Sequence, residues 1–255
     1  MARTDPQARP LSTSPLLVVD EVSKHFGALR AVDGVSFDVA AGEIFGIAGP
    51  NGSGKSTLFN LMTRIPFGPD GGSVRFDGRA IQSLPAHRIA QLGIARTFQK
   101  ETRFESLSAW DNVLIGANYG LDAKGDAPED VVVPALTQAG VPEDEWDRPS
   151  GELSVFHTKL LMLASALAMA PRVLMLDEPA SGLTQPEVDQ LRDVLMRLAQ
   201  SGLTLVLIEH VLPLLLAVSQ RLMVLNHGQV LIIGAPQDVV RDDRVIDAYL
   251  GSRRH

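Results

Sequence analysis

The sequence predicts an α/β fold in which helices cover both faces of a mostly parallel sheet. Uninterrupted apolar runs, which are typical of buried parallel strands, occur at residues 44–48, 173–176 and 204–208. Each run is followed by a segment whose apolar residues recur at helical spacing, so strands and helices alternate along the chain. With 255 residues, the chain is long enough for one large domain or for a core that carries a subdomain.

The individual elements follow from apolar spacing and turn residues. Predicted strands lie at residues 16–19, 34–39, 44–48, 73–77, 173–176, 204–208 and 222–225. Predicted helices cover residues 81–92, 110–117, 131–139, 154–168, 187–198 and 212–219, besides one that carries Leu58, Leu61 and Met62. The helix at 154–168 is apolar on nearly all sides, so it is expected to be buried. Residues 24–33 and 66–72 are rich in turn formers and predict loops.

The composition excludes several classes of protein. Hydrophobic residues make up 45% of the chain and charged residues 21%, as in ordinary globular proteins. Because the chain has no cysteine, it forms neither disulfides nor cysteine-ligated metal centres. Residues 1–14, which are small, polar and interrupted by proline, are predicted to be a disordered lead-in without the apolar core of a secretory signal. No apolar stretch reaches the roughly 18 residues that a membrane span needs.

The net charge of −7 is concentrated in the middle of the chain. Residues 99–153 contain four Lys or Arg against twelve Asp or Glu. Since no basic stripe is visible, nucleic-acid binding is not expected. The acidic segment interrupts the alternation of strands and helices, and two interpretations stay open: a solvated surface, or a docking site for a basic partner.

A glycine-rich segment between the first apolar run and the following helix predicts a phosphate-binding loop. Residues 49–57 fit the pattern G-x-x-x-x-G-K-[ST] in full. Glycine lets the backbone approach an anion closely, and the free N–H groups of the new helix point toward it. Lys55 adds a positive charge, and the Ser56 hydroxyl suits Mg²⁺. The predicted loop residues are Gly49, Pro50, Asn51, Gly52, Ser53, Gly54, Lys55, Ser56 and Thr57.

A second chemical segment stands at the end of another predicted strand. The run at residues 173–176 leads into Asp177 and Glu178, at the edge where open α/β sheets bind their ligands. Asp177 suits the coordination of Mg²⁺, because hard cations prefer oxygen ligands. Glu178 suits a general base that activates or positions water for attack on a γ-phosphate.

Further segments occur in the order and spacing of one protein family. They are Arg-Thr-Phe-Gln ending at Gln99, Ser-Gly-Leu at residues 181–183 and Ile-Glu-His ending at His210. Over residues 16–251 the chain therefore resembles the nucleotide-binding subunits of ABC transporters. Two of these segments, together with Val-Ile-Asp-Ala-Tyr-Leu-Gly at 245–251, are similar in particular to the ATPase subunits of branched-chain (hydrophobic) amino-acid importers.

The resemblance implies a fold and a division into domains. The fold is a P-loop NTPase core of the RecA-like type, with a mostly parallel sheet, an antiparallel β subdomain and an inserted α-helical subdomain. The implied division is a disordered segment at 1–14, the nucleotide-binding core with the antiparallel β subdomain at 15–98, the helical subdomain with the signature region at 99–167, the rest of the core at 168–235, and a C-terminal helix and tail at 236–255.

The resemblance also implies ligands, roles and partners. ATP would be bound with Phe26 stacked on adenine, and Mg²⁺ would be held by Ser56, Gln99 and Asp177. Gln99 would also sense the membrane partner, and His210 would hold the γ-phosphate and the attacking water, so that Glu178 and His210 would be the catalytic residues. The implied partners are a second ATP-binding subunit, transmembrane permease subunits and, indirectly, a solute-binding protein, at the cytoplasmic face of the membrane.

One segment departs from the family pattern. Where the family carries a signature close to Leu-Ser-Gly-Gly-Gln, residues 153–157 read Leu-Ser-Val-Phe-His, 24 residues before Asp177 as the family spacing requires. Because the family signature closes over the nucleotide of the partner subunit, Phe156 is expected to place a bulky ring there. Ser154 is retained and is expected to cap its helix and reach an anion. Thr184 stands where the family favours Asp or Asn, yet residues 184–187 fit a capping box.

These features lead to a hypothesis about assembly and leave alternatives. A partner with an intact signature would complete one competent site, so a heterodimer is favoured over a homodimer. Permease loops rich in Lys and Arg would be attracted to the acidic segment. A nucleotide-sensing regulatory or scaffold protein of the ABC type, with weak ATPase activity outside transport, is the alternative. A GTPase or small-molecule kinase is disfavoured because the chain contains no Asn-Lys-x-Asp.

Overall fold

Two sheets organise the protein: an antiparallel sheet of four strands and a mainly parallel sheet of six. The structure is a computed structural model that describes residues 15–100, 102–119 and 127–251. Its strands are β1 (Leu17–Phe26), β2 (Leu29–Val39), β3 (Ile44–Ala48), β4 (Gly71–Phe76), β5 (Arg79–Ala80), β6 (Ile94–Arg96), β7 (Val173–Asp177), β8 (Thr204–Ile208), β9 (Arg221–Asn226) and β10 (Gln229–Gly234). Its helices are α1 (Lys55–Thr63), α2 (Ala86–Gln91), α3 (Ala109–Asn118), α4 (Pro128–Ala139), α5 (Val155–Leu167), α6 (Gln185–Gln200), α7 (Leu212–Val218), α8 (Pro236–Val239) and α9 (Asp243–Gly251).

The six-stranded sheet has the order β10-β9-β3-β8-β7-β6, and only β10 pairs with its neighbour in the antiparallel sense. Every residue of β3, β7 and β8 is buried, because apolar side chains cover both faces of the sheet. In β7, Leu174 and Leu176 join one apolar cluster, whereas Val173 and Met175 join the other. The prediction of an α/β fold with a mostly parallel sheet is confirmed. The segments that follow β3 and β7 emerge at the same edge, separated only by β8.

The antiparallel sheet has the order β2-β1-β4-β5 and extends further than the sequence predicts. Residues 24–33, predicted as a loop, are mostly strand: β1 runs to Phe26 and β2 begins at Leu29. Gly27, with a φ of 60°, permits the tight turn between them. The prediction was wrong because solvent-facing polar residues on an edge of the sheet resemble turn residues in sequence. The outcome matters for the site, since it brings Phe26 to the tip of a hairpin.

The helices α3, α4 and α5 pack against one another in a group that the chain enters after β6 and leaves before β7, and this group shares one apolar cluster with the main sheet. The helix at 154–168 is buried as expected, since eight of its residues have little exposure.

The helix predicted at 81–92 starts only at Ala86, because Pro85 holds an extended conformation and disfavours helix before it. Three strands, β5, β6 and β10, were missed. No helix in the described ranges has the length and apolarity to cross a bilayer, and the lead-in predicted at 1–14 lies outside those ranges.

The helical group depends on a close approach at Gly116 in α3. A Cβ atom at this position would clash with the main-chain carbonyl of Ser165 in α5. We expect Gly116→Ala to lower the free energy of unfolding by about 1–3 kcal/mol, the usual cost of overpacking. The measurement is the urea midpoint. Gly71→Ala is the control, because no heavy atom lies within 4 Å of its added methyl; equal midpoints for the two variants would contradict this packing.

Candidate functional site

A cleft of about 960 Å³ opens at the edge of the sheet where β3 and β7 end. Most of the predicted site residues line it, namely Phe26, Asn51, Gly52, Ser53, Gly54, Lys55, Ser56, Thr57, Gln99, Glu178 and His210. Four further lining residues, Leu29, Arg30, Ala31 and His227, were missed by the sequence analysis. Leu29, Arg30 and Ala31 were missed because they lie on β2, in the stretch that was predicted as a loop. The cleft therefore lies between both sheets.

The loop after β3 is held in a narrow space that accepts only glycine at two positions. Gly49 has a φ of 149°, and a Cβ atom there would clash with the carbonyl oxygen of Leu225 in β9. Gly54 has a φ of 105°, and a Cβ atom there would clash with the carbonyl oxygen of Ala31 in β2. Both sheets thus contact the loop closely, and glycine at these two positions lets its main chain lie where a side chain would not fit.

Lys55, the first residue of α1, folds back over the loop that precedes it. Its Nζ donates hydrogen bonds to the carbonyl oxygens of Gly49 at 2.8 Å and Pro50 at 3.0 Å, and lies 3.4 Å from Ser53 Oγ. Burial lowers the pKa of the Lys55 ammonium below its ordinary value, and the negative charges of Glu178 and Asp177 oppose that shift. A buried ammonium with only neutral acceptors is expected to gain from an anionic ligand.

Glu178 gathers two of the other predicted residues around its carboxylate. Gln99 Nε2 donates a hydrogen bond to Glu178 Oε2 at 2.7 Å, and His210 Nε2 lies 2.7 Å from Glu178 Oε1. The backbone of Glu178 has a φ of 51°, an uncommon value for a residue with a side chain, directly after β7. The fold thus brings these three predicted site residues together. The arrangement suits a carboxylate that positions water, with an amide and an imidazole beside it.

Asp177 is 4% exposed and forms an ion pair with Arg96 at the end of β6. Arg96 Nη2 lies 2.7 Å from Asp177 Oδ2, and Arg96 also donates a hydrogen bond to Asn60 in α1 at 2.8 Å. Among the residues described, Asp177 Oδ1 is buried and has no hydrogen-bond partner. A carboxylate with one oxygen paired and the other unpaired fits a residue that contributes an oxygen to a cation. Arg96 is the first residue of the Arg-Thr-Phe-Gln segment, and its pairing with Asp177 was not predicted from the sequence.

The departure at residues 153–157 has a different structure from the one expected. Ser154 caps α5 as predicted, since its hydroxyl accepts a hydrogen bond from the His157 N–H at 3.1 Å, but it is not among the residues that line the cleft. Phe156 does not face outward: it is 6% exposed and belongs to the core, whereas Val155 is 50% exposed. The expectation for Phe156 was wrong because the first turn of α5 directs that position inward. The exposed apolar side chain of this segment is Val155.

The loop between β7 and α6 adjoins Val155. A Cβ atom at Gly182 would lie 3.8 Å from Val155 Cγ1, so both belong to one surface. Further along, Glu187 accepts hydrogen bonds from the N–H and the hydroxyl of Thr184, each at 2.7 Å, which confirms the capping box. These hydrogen bonds lower the pKa of Glu187. The N–H and the hydroxyl of Thr184 are therefore both engaged in capping α6.

Two family models match the chain. One, described as ABC transporter, covers residues 32–181, and the other, described as branched-chain amino acid ATP-binding cassette transporter, covers residues 233–255. The first match includes the loop after β3, the Asp177–Glu178 pair and the degenerate segment at 153–157. The second covers the C-terminal part, from the end of β10 onward.

Similar proteins extend the match over nearly the whole chain. The high-affinity branched-chain amino acid transport ATP-binding protein BraF of Pseudomonas aeruginosa is 34% identical, over 93% of this chain and 98% of its own length. The corresponding protein LivG of Escherichia coli is 32% identical, over 94% and 99%. Among solved structures, an ATP-binding cassette of an ABC transporter in its ADP conformation superposes with a TM-score of 0.84 at 29% identity, over 94% of this chain and 100% of that one.

The Arg96–Asp177 pair yields a prediction about stability. Both side chains are almost fully buried, so Arg96→Met leaves a carboxylate without its counter-charge. We expect a loss of about 3–5 kcal/mol in the free energy of unfolding, measured by chemical denaturation. Arg88→Met on α2 is the control, since Arg88 bonds only at the exposed surface. The double variant Arg96→Met/Asp177→Asn should recover part of the loss; a double variant as unstable as the sum of the singles would contradict the pairing.

Proposed function

The chain belongs to the ABC transporter family, and from this membership we propose that it is the ATP-binding and ATP-hydrolysing subunit of an importer that takes up branched-chain amino acids through separate permease subunits. The names of BraF and LivG and the branched-chain family model at residues 233–255 support the choice of solute. One observation carries the catalytic part: Glu178, with Gln99 and His210 bonded to it, faces the same cleft as Lys55 and its loop.

Each group in the cleft has a proposed role in binding and hydrolysis. The loop amides and Lys55 hold the phosphates, as the cradle of glycines and the buried ammonium suggest. Ser56, Gln99 and Asp177 would hold Mg²⁺, which would supply positive charge to stabilise the phosphates. Glu178 orients or deprotonates the attacking water, and His210 holds that water and the γ-phosphate. The unpaired Oδ1 of Asp177 supports its part in this set.

Phe26 is proposed to stack on the adenine ring. It stands at the tip of the β1–β2 hairpin, is 46% exposed, and borders the cleft. Its outer edge is supported by Phe67, whose ring lies 5.2 Å away in an edge-to-face arrangement. Lys24 Nζ also lies 5.5 Å from the centroid of the Phe26 ring, and the adenine is proposed to stack on the part of the ring that remains exposed.

The second half of each nucleotide site is proposed to come from another subunit. The segment at 153–157 lies outside the cleft of its own chain, so it can serve only a neighbouring one. In that position Val155 presents an apolar, half-exposed side chain where a glycine would allow close contact with phosphate. A heterodimer with an ATPase subunit that has the glycine-containing signature would therefore contain one competent site. Such a dimer, docked on permease subunits, would lie at the cytoplasmic face of the membrane.

This assembly is tested by measuring ATP turnover of the purified chain alone and together with a partner ATPase subunit and its permease. We expect slow turnover alone and at least about tenfold faster turnover in the complex, because charge-assisted contacts to the γ-phosphate are missing in the homodimer. Val155→Gly should raise turnover of the chain alone, whereas Phe156→Ala, which changes a buried ring, should not. Glu178→Gln should lower turnover of the complex by a factor of about 10²–10⁴ with ATP still bound.

Two other outcomes would contradict the heterodimer or the transport function. Brisk turnover by the chain alone, unchanged in Val155→Gly, would contradict the heterodimer. The alternative, a nucleotide-sensing regulatory or scaffold protein, is favoured only by the altered signature. It predicts that the chain does not copurify with detergent-solubilised permease, and this outcome would overturn the transport function.

The acidic segment is proposed to guide docking on the permease. Glu143 and Asp144 are exposed and available, whereas Glu145 is buried beside His157 and serves the fold. We expect Glu143→Lys/Asp144→Lys to weaken assembly with the permease, most strongly at low salt, because screening removes the attraction. Affinity for permease in nanodiscs, measured at two salt concentrations, tests this. Asp20→Lys/Glu21→Lys on the antiparallel sheet is the matched control. If both double variants change the affinity for permease equally, the acidic segment is a solvated surface and not a docking site.

A further inference from the structure

The C-terminal helix reaches back to the phosphate loop through one side chain. The hydroxyl of Tyr249 in α9 accepts a hydrogen bond from the N–H of Gly49 at 2.8 Å, across 200 residues of sequence. The ring of Tyr249 is half-buried and packs against the larger apolar cluster. Burial raises the pKa of the Tyr249 phenol, although the bond from Gly49 opposes this, so the hydroxyl stays neutral at physiological pH.

Gly49 is fixed from three directions. Its N–H is bound by Tyr249, its carbonyl accepts a hydrogen bond from Lys55 Nζ at 2.8 Å, and its Cα faces the carbonyl of Leu225 with no room for a Cβ atom. Of the two hydrogen bonds, the one from Lys55 competes with ligand binding, since the same ammonium is proposed to bind phosphate. The bond to Tyr249 does not compete, because neither Tyr249 nor Gly49 is among the residues that line the cleft.

The same C-terminal part holds the loop at a second point. Gly228, in the turn between β9 and β10, donates a main-chain hydrogen bond to the carbonyl of Ser53 at 2.9 Å. The chain then continues through β10 and α8 to α9, so both contacts come from one continuous segment. The loop is thus held by main chain near its middle and by a side chain at its start.

We infer that Tyr249 is a positioning residue for the nucleotide: it holds Gly49, and with it the start of the phosphate loop, in place when Lys55 transfers its hydrogen bonds from the loop to the phosphates. This inference rests on the proposed role of the loop in nucleotide binding. It gives the segment at 233–255 a function within the ATP site, in addition to any role in recognising the rest of the transporter.

The chain offers a clean experiment, because it contains only two tyrosines, Tyr119 and Tyr249. Tyr249→Phe keeps the ring and removes the hydroxyl that accepts the hydrogen bond from Gly49, and Tyr119→Phe, at a site that is 70% exposed, is the matched control. We expect Tyr249→Phe to raise the Kd for ATP and the KM of the assembled complex about tenfold, with kcat changed less than twofold. Tyr119→Phe should match the wild type in both quantities.

A spectroscopic signal separates positioning from a general contribution to stability. In protein labelled with 3-fluorotyrosine, the ¹⁹F resonance that disappears in Tyr249→Phe should move when ADP is added, whereas the Tyr119 resonance should not. A Tyr249→Phe variant with unchanged Kd and KM, or with a lowered kcat at constant KM, would overturn the inference. Lys55→Met serves as the reference: if it binds ATP as tightly as wild type, the proposed function fails; if it loses binding while Tyr249→Phe does not, only the inference fails.

Discussion

The structure depends on a buried ammonium group held by main-chain carbonyls. The buried side chain of Lys55 folds back against its own loop and donates hydrogen bonds only to uncharged acceptors. Burial lowers the pKa of its ammonium group. Such an arrangement is tolerable because every donor direction has an oxygen to meet, but it leaves a positive charge without a bonded counter-ion. The glycines that flank it allow the loop to close around the ammonium, and the two sheets hold the loop in that shape. The buried, uncompensated ammonium therefore favours a polyanionic ligand in the cleft.

The two neighbouring carboxylates are compensated in different ways, and this difference separates their proposed roles. Asp177 is buried and receives a full positive charge from Arg96 on one oxygen, which fixes its position rigidly. Glu178 lies at the cleft and interacts with an amide and an imidazole, both of which can rearrange when a ligand enters. A rigid carboxylate suits metal binding, whereas an adjustable one suits the handling of a water molecule and its proton.

Much of this arrangement was predictable from sequence, and the failures have physical causes. Buried strands such as β3 and β8 were located to the residue, since continuous apolar runs have few other interpretations. The loop and the Asp177–Glu178 pair were found because their chemistry demands particular residues at fixed spacing. Phe156 was placed wrongly because sequence does not give the rotation of a helix in its first turn. Arg96 and Tyr249 were missed as partners because their contacts, with Asp177 and Gly49, span 81 and 200 residues of chain, and only the fold brings them together.

The order of the strands has a mechanical consequence. Because β8 separates β3 from β7, the phosphate loop and the carboxylates are two strand spacings apart, about 10 Å, a length set by main-chain hydrogen bonds. Any rearrangement that preserves this ladder leaves the chemical groups at constant separation. The helices α3–α5 belong to the same apolar core as one face of this sheet, with contacts between α5 and β6 and between α4 and α6, and Gln99, just past β6, is hydrogen-bonded to Glu178. A shift of these helices relative to β6 would therefore act on Glu178 through Gln99.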